Sequence, residues 1–329
     1  MALAVILLAG GLVILWKSAD LLVDGAVALA QRLGISPLVV GLTVVAMGTS
    51  APEVAASIAA AIKGIGDVAI GDVYGSNIAN LALVGGLCAI IRPIKVQSRV
   101  LRREIPVMLL VALLLWPVLH DSYLSRPEGL LLLGVFAGLI VLTVCIARRE
   151  VKGVRHQAES VERDTKPVLS VIEGYAIRNT KKSVLFIVIG LVGLALGADI
   201  TVRGAVFIGR QIGLSEAVIG LTIIAIGTSL PELVTCVAAS VKRQHDISIG
   251  IMVGSNVFNA LLAIGAAGLI RPFEVVSRLA GGLDYWIMVI VSFVFAAAAL
   301  IGRRIGRADA ALLLCGYIAY MVYLLAYNG

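Results

Sequence analysis

This sequence predicts an all-α integral membrane protein of ten transmembrane helices, arranged as two inverted five-helix repeats. Three observations carry that prediction: the length and number of its apolar runs, a pair of motifs repeated at one fixed offset, and a lopsided placement of basic residues.

Of the 329 residues, 60% are hydrophobic and 14% charged, where a soluble domain carries roughly 25% charged residues. The mean hydropathy is +1.03. Runs of about 20 apolar residues, enough to cross a hydrocarbon core of roughly 30 Å as a helix, fall at 2–24, 38–62, 68–91, 104–120, 128–147, 183–206, 217–241, 247–270, 283–302 and 308–327. The fourth is short, with Pro106 and Pro117 near its limits. The first is read as a retained span instead of a secretory leader, because its first charge, Lys17, follows the apolar stretch. Cys88, Cys145, Cys236 and Cys315 all lie inside apolar runs without a shared spacing, which argues against a disulfide framework or a thiolate metal site.

Residues 41–53, GLTVVAMGTSAPE, match 220–232, GLTIIAIGTSLPE, at nine of thirteen positions. Residues 71–80, GDVYGSNIAN, match 250–259, GIMVGSNVFN, at five of ten. Every pair is offset by 179, and the same offset links Asp20 to Asp199, Gly34 to Gly213, Asp67 to Asp246 and Arg92-Pro93 to Arg271-Pro272. Each copy opens a five-span half. Five is odd, so the second copy enters the membrane from the opposite side, giving an inverted repeat of the kind that supports alternating access in secondary transporters. The halves are 1–147 and 183–329. Between them, 148–182 carries nine basic and five acidic residues and reads as a solvated linker with a short surface helix.

The formal charge of +7 follows from topology. With 148–182 cytoplasmic, 20 basic residues fall on the inner side and six on the outer, leaving Lys17 within a span. That is a positive-inside pattern. It puts both termini outside and needs no nucleic-acid partner.

The chemistry lies in spans two and seven. Gly48-Thr49-Ser50-Ala51-Pro52-Glu53 and Gly227-Thr228-Ser229-Leu230-Pro231-Glu232 each combine a glycine with a proline, which lacks an N–H and clashes with the preceding turn. A helix broken at bilayer depth is tolerated where its freed carbonyls line a cavity or an ion. Ser50-x-x-Glu53 and Ser229-x-x-Glu232 also have capping-box spacing, so both glutamates are expected to contribute to capping. A cap returns about 1 kcal/mol, whereas an acid at the bilayer centre costs roughly 2.5–3.5 kcal/mol; a bound cation makes up the difference. Two facing carboxylates would repel each other, and one cation between them removes both penalties. The available donors are hard oxygens: Glu53, Glu232, the hydroxyls of Thr49, Ser50, Thr228 and Ser229, and backbone carbonyls. Such a set favours sodium, calcium or magnesium over zinc or copper, and a carbonyl-rich cage suits calcium better than magnesium.

Spans three and eight supply a second layer. Ser76 and Asn80 are four apart on one helix face, mirrored by Ser255 and Asn259. Asn77 and Asn256 fit interhelical hydrogen bonding equally well, since the adjacent glycines allow close packing. Asp20, Asp24 and Asp199 are left without a site role; Asp24 has Arg203, not an acid, as its mate.

GTSAPE with GSNIAN, and GTSLPE with GSNVFN, resemble the two alpha-repeats of the calcium/cation antiporter superfamily, specifically its prokaryotic sodium/calcium exchangers. The resemblance covers essentially all ten spans. It implies a fold whose long, tilted first and sixth helices slide against the other eight. It also implies ion ligands at Ala46 (carbonyl), Thr49, Ser50, Glu53, Ser76 and Asn80, and at Ala225 (carbonyl), Thr228, Ser229, Glu232, Ser255 and Asn259. It further implies several sodium ions exchanged for one calcium, competing for the two glutamates. Some family members carry aspartate where this chain has Asn259, an amide that argues against potassium co-transport.

The expected activity is sodium/calcium antiport across a bacterial or archaeal inner membrane. A calcium/proton exchanger using the same glutamates stands as the alternative. An intramembrane enzyme is disfavoured, since near-symmetric halves offer no nucleophile or nearby histidine. No permanently bound cofactor and no obligatory protein partner are expected; the ligands are Na+ and Ca2+, with H+ in the alternative, and the surroundings are lipid.

Overall fold

The computed structural model describes residues 2–161, 180–214, 219, 223 and 225–328. Residues 162–179 of the expected linker, and 217, 218, 220–222 and 224 of the seventh expected span, lie outside the described residues.

The described chain is helical apart from four two-residue strands. Its helices are α1 (Ala2–Leu33), α2 (Pro37–Thr49), α3 (Ala51–Lys63), α4 (Gly66–Ile91), α5 (Ile105–Leu119), α6 (Arg126–Val161), α7 (Thr180–Gln211), α8 (Ala225–Thr228), α9 (Leu230–Val241), α10 (His245–Ile270), α11 (Leu283–Leu300) and α12 (Arg307–Asn328). The same series runs twice: a long helix, a broken one, a buried one, then two more. In lipid the backbone has to satisfy its own polar groups, and continuous helices do so within one segment.

Seven of these helices are long and apolar enough to cross a membrane: α1, α4, α6, α7, α10, α11 and α12. The bent pair α2 and α3, inclined by 43°, makes an eighth. The fourth expected span appears as α5, whose 15 residues reach roughly 22 Å. The seventh is represented by α8 and the 12-residue α9. The first expected span runs past 24 to Leu33, because 25–33 contains no proline and the stop comes at Gly34, with φ +65°. Its mate Gly213 ends α7 with φ +85°. Both positions need the left-handed backbone that glycine supplies without strain.

Helices α1 and α7 lie antiparallel and in close contact. A Cβ on Gly11 would sit 2.7 Å from the Thr201 nitrogen, one on Gly197 2.9 Å from the Leu15 nitrogen, and one on Gly190 3.0 Å from the Leu22 Cα. Small residues thus let the two backbones meet, as in membrane helix pairs generally. The outer faces of α1 and α7 expose large apolar side chains such as Ile6, Val13, Leu185 and Leu196, a surface suited to acyl chains. Helix α10 is almost wholly buried and α4 largely so, so the two helices that carry the GSN motifs form the centre. The strands tie the halves together. Ile94–Lys95 (β1) pairs with Arg304–Ile305 (β4), and Tyr123–Leu124 (β2) with Phe273–Glu274 (β3), both antiparallel.

Candidate functional site

The α2–α3 break falls at Ser50, whose φ/ψ of −83°/4° interrupts the helix just before Ala51-Pro52. Ser229 has nearly the same angles, −87°/4°, between α8 and Leu230-Pro231. Pro52 has no N–H to offer the Gly48 carbonyl four residues back, nor has Pro231 for Gly227. Each break therefore leaves a glutamate in the first turn of the following half-helix. Glu53 and Glu232 are both 0% exposed.

The expected capping boxes are not formed. Neither Ser50 nor Ser229 makes a side-chain cap hydrogen bond. A capping serine needs extended backbone angles to turn its hydroxyl onto the N3 amide, and neither break has them. Ser50 reaches across to the other half: its Oγ donates to Glu232 Oε1 at 2.9 Å. Ser255 Oγ, on α10, donates to the same oxygen at 3.4 Å. Thr49 also stands beside Glu232, while Ser229 lies beside Glu53 without reaching hydrogen-bond geometry. The two carboxylates are within electrostatic reach of each other.

Most of the remaining site oxygens are buried without a hydrogen-bond partner among the described residues: both oxygens of Glu53, Glu232 Oε2, Ser76 Oγ, Ser229 Oγ, Asn80 Oδ1 and Asn259 Oδ1. An uncompensated buried charge costs several kcal/mol, and each neutral group left unpaired about 1–3 kcal/mol. A hard cation offsets those costs together, and calcium accepts 6–8 such oxygens. Among the described residues no group of three or more His, Cys, Asp or Glu is placed to hold a metal ion. The donor set is two carboxylates supplemented by neutral oxygens.

Other candidates are placed differently. The Ala46 carbonyl accepts the Ser50 N–H at 2.9 Å and the Thr49 hydroxyl at 3.3 Å. Both of its lone pairs are thereby occupied, and a ligand role requires the Thr49 hydroxyl to turn away. Ala225 begins the short turn α8. Thr228 is half-buried and, with Pro52, Asp199 and Gly227, lines a cavity of ≈ 280 Å³ against α7. Asn80 adjoins the start of a π-helical stretch, Ala79–Val84, and Asn259 opens another, Asn259–Ala263. Such wider turns often mark functional sites, and nothing in the residue pattern announces them. Asn77 and Asn256, mates in the repeat, serve packing: Asn77 Nδ2 donates to the Asn256 carbonyl at 3.4 Å, and Asn256 Nδ2 to the Met252 carbonyl at 2.9 Å.

The acids left without a site role have cationic partners. Lys242, at the end of α9, bridges Asp20 at 2.6 Å and Asp24 at 2.7 Å. Burial lowers its pKa, but the two carboxylates more than offset this and hold it above the ordinary lysine value. Asp199 pairs with Arg203 at 2.8 Å within α7. One acid escaped the sequence reading: Asp72 on α4, one helical turn before Ser76, whose Oδ2 is buried and without a partner. Its spacing from Ser76 was the available signal.

The family described as "Sodium/calcium exchanger protein" matches residues 3–145 and 182–326. Inner membrane protein YrbG of Escherichia coli K12 is 39% identical over 327 residues, covering 98% of this chain and 97% of that protein. Sodium/calcium exchanger MaX1 of Methanosarcina acetivorans is 32% identical over 341 residues, covering 95% and 96%. The solved sodium-calcium exchanger NCX_Mj superposes with a TM-score of 0.81 at 30% identity, over 98% of this chain and 99% of that one.

Proposed function

This chain belongs to the sodium/calcium exchanger protein family, a family of membrane transporters and not of enzymes, and we propose that it exchanges sodium for calcium across an inner membrane by alternating access around Glu53 and Glu232. The observation that carries the reading is the cross-half contact. Ser50 of one break donates to Glu232 of the other, amid buried oxygens that lack partners among the described residues.

The proposed architecture is ten spans in two inverted halves, 1–147 and 183–329, joined by a cytoplasmic 148–182 linker with both termini outside. The antiparallel contact of α1 with its repeat mate α7 supports inversion. The two blocks of family similarity stop at 145 and resume at 182, which supports the linker. In this arrangement Thr49, Ser50, Ser76, Asn80, Thr228, Ser229, Ser255 and Asn259 complete the oxygen cage, with the Ala46 and Ala225 carbonyls on either side. Sodium and calcium compete for the two carboxylates because neither load leaves them uncompensated. An inverted repeat lets two equivalent arrangements of the halves exchange around one fixed site.

Coupling to sodium is favoured over coupling to protons by the neutral donors. Hydroxyl and amide oxygens ligate a metal ion, and a proton on one carboxylate leaves them unsatisfied. Reconstituted in proteoliposomes, the protein is expected to accumulate calcium-45 under an outward sodium gradient. A pH gradient of matched size is expected to drive little uptake. Uptake driven by the pH gradient and indifferent to sodium would establish the calcium/proton alternative.

A further inference from the structure

We infer that Asp72 is a third cation-binding carboxylate, forming with Ser76, one helical turn further along α4, a loading position for a hard alkali or alkaline-earth cation beside the paired-glutamate site. The inference rests on the cation-site reading given above and extends it to a residue outside that site.

Asp72, Ser76 and Asn80 follow one another at intervals of four on α4, so they form a single stripe. A helix advances about 6 Å over four residues, which places Asp72 one step from Ser76 toward the Gly66 end. Asp72 and Ser76 together line a cavity of ≈ 50 Å³ that Tyr317, Tyr320 and Leu324 of α12 also line. One water needs roughly 10–15 Å³ of such volume, so the cavity holds a cation with part of its hydration shell. Ser76 is 3% exposed, and its Oγ has no hydrogen-bond partner among the described residues. The same is true of Asp72 Oδ2. The Asp72 and Glu53 carboxylates lie within electrostatic reach of each other, so a cation at Asp72 is already in the field of the central pair.

The second half has no counterpart. The mate of Asp72 is Ile251, 0% exposed in the core of α10, so the equivalent stripe reads Ile251, Ser255, Asn259. The extra carboxylate therefore serves one side of the pseudo-symmetric site. Asp20, Asp24 and Asp199 have cationic partners, whereas no Lys, Arg or His lines the cavity at Asp72. A carboxylate left in this setting without a counter-charge costs several kcal/mol, and a resident or transient cation offsets it.

Equilibrium binding of calcium-45 to the purified full-length protein in detergent tests the inference. Wild type is expected to show a tight component and a weaker one. Asp72→Asn is expected to reduce the weaker affinity at least ~10-fold, a change of about 1.4 kcal/mol, while retaining the tight component; Asp72→Glu restores the weaker one. The Glu53→Gln/Glu232→Gln double variant is expected to lose the tight component and keep the weak one, which then disappears when Asp72→Asn is added. Weak binding unchanged by Asp72→Asn in both backgrounds would overturn the inference. So would loss of the tight component in Asp72→Asn with no rescue by Asp72→Glu. Persistence of tight binding in the glutamate double variant would instead count against the central site, and the Asp72 comparison would still read independently.

Discussion

Glu232→Gln is expected to slow sodium-driven calcium exchange by at least about 100-fold, with Glu53→Gln doing the same. Removing one member of a buried, mutually compensated charge set typically costs 3–5 kcal/mol, and each 1.4 kcal/mol is a factor of ten. Glutamine keeps the size of the side chain and an acceptor for the Ser50 hydroxyl, which donates to Glu232 Oε1 at 2.9 Å. The break should keep its shape, and what disappears is negative charge at a fully buried position. Initial rates of calcium-45 uptake in proteoliposomes read the loss directly. Circular dichroism should show unchanged helix content, separating an ion-site defect from misfolding. Because the two carboxylates share one load, the double variant is expected to be scarcely slower than either single one.

The second large effect is steric. Gly254 of α10 faces α2 so closely that an added Cβ would lie 2.7 Å from the Leu42 carbonyl oxygen and 2.8 Å from the Ala46 Cβ. Backbone of that kind does not move aside cheaply. Overpacking a close-packed interface costs about 1–3 kcal/mol, so Gly254→Ala should lose stability of that order in denaturant unfolding in detergent. It should also lower exchange. The displaced α2 ends at Thr49 and leads directly into Ser50, and Ser255, next to Gly254, hydrogen-bonds Glu232. Gly316→Ala is the control. Nothing lies within 4 Å of its added Cβ, and α12 exposes that face, so stability should hold or rise. Equal losses in the two variants would mean that Gly254 contributes helix flexibility instead of close approach.

These expectations show which features were legible in the residues alone. The two Pro-Glu breaks were, because proline and glycine act locally: both helices are interrupted where the GTSxPE pattern places the break, at Ser50 and Ser229, with nearly equal backbone angles. The burial of Glu53 and Glu232 followed from their place within long apolar runs. The destination of the Ser50 hydroxyl did not. Local spacing pointed to a capping box, and the actual partner lies 182 residues away, a contact that tertiary packing alone decides. The π-helical stretches Ala79–Val84 and Asn259–Ala263 were equally hidden, since nothing in their residue pattern sets them apart from α-helix. Asp72 does not stand out in the repeat, because its mate is Ile251. Helix ends were read short where charged residues interrupt the apolar run before the helix stops, as at Asp20 and Asp24 of α1, which continues to Leu33.

Everything depends on whether a cation sits between the two broken helices. Crystals soaked with strontium, a calcium analogue with a strong anomalous signal, answer that most directly. A difference peak is expected within about 2.3–2.7 Å of carboxylate oxygens from both Glu53 and Glu232, close to calcium–oxygen distances, weakening as sodium is raised. A strong peak held elsewhere, with both glutamates untouched by the ion at any sodium concentration, would contradict it.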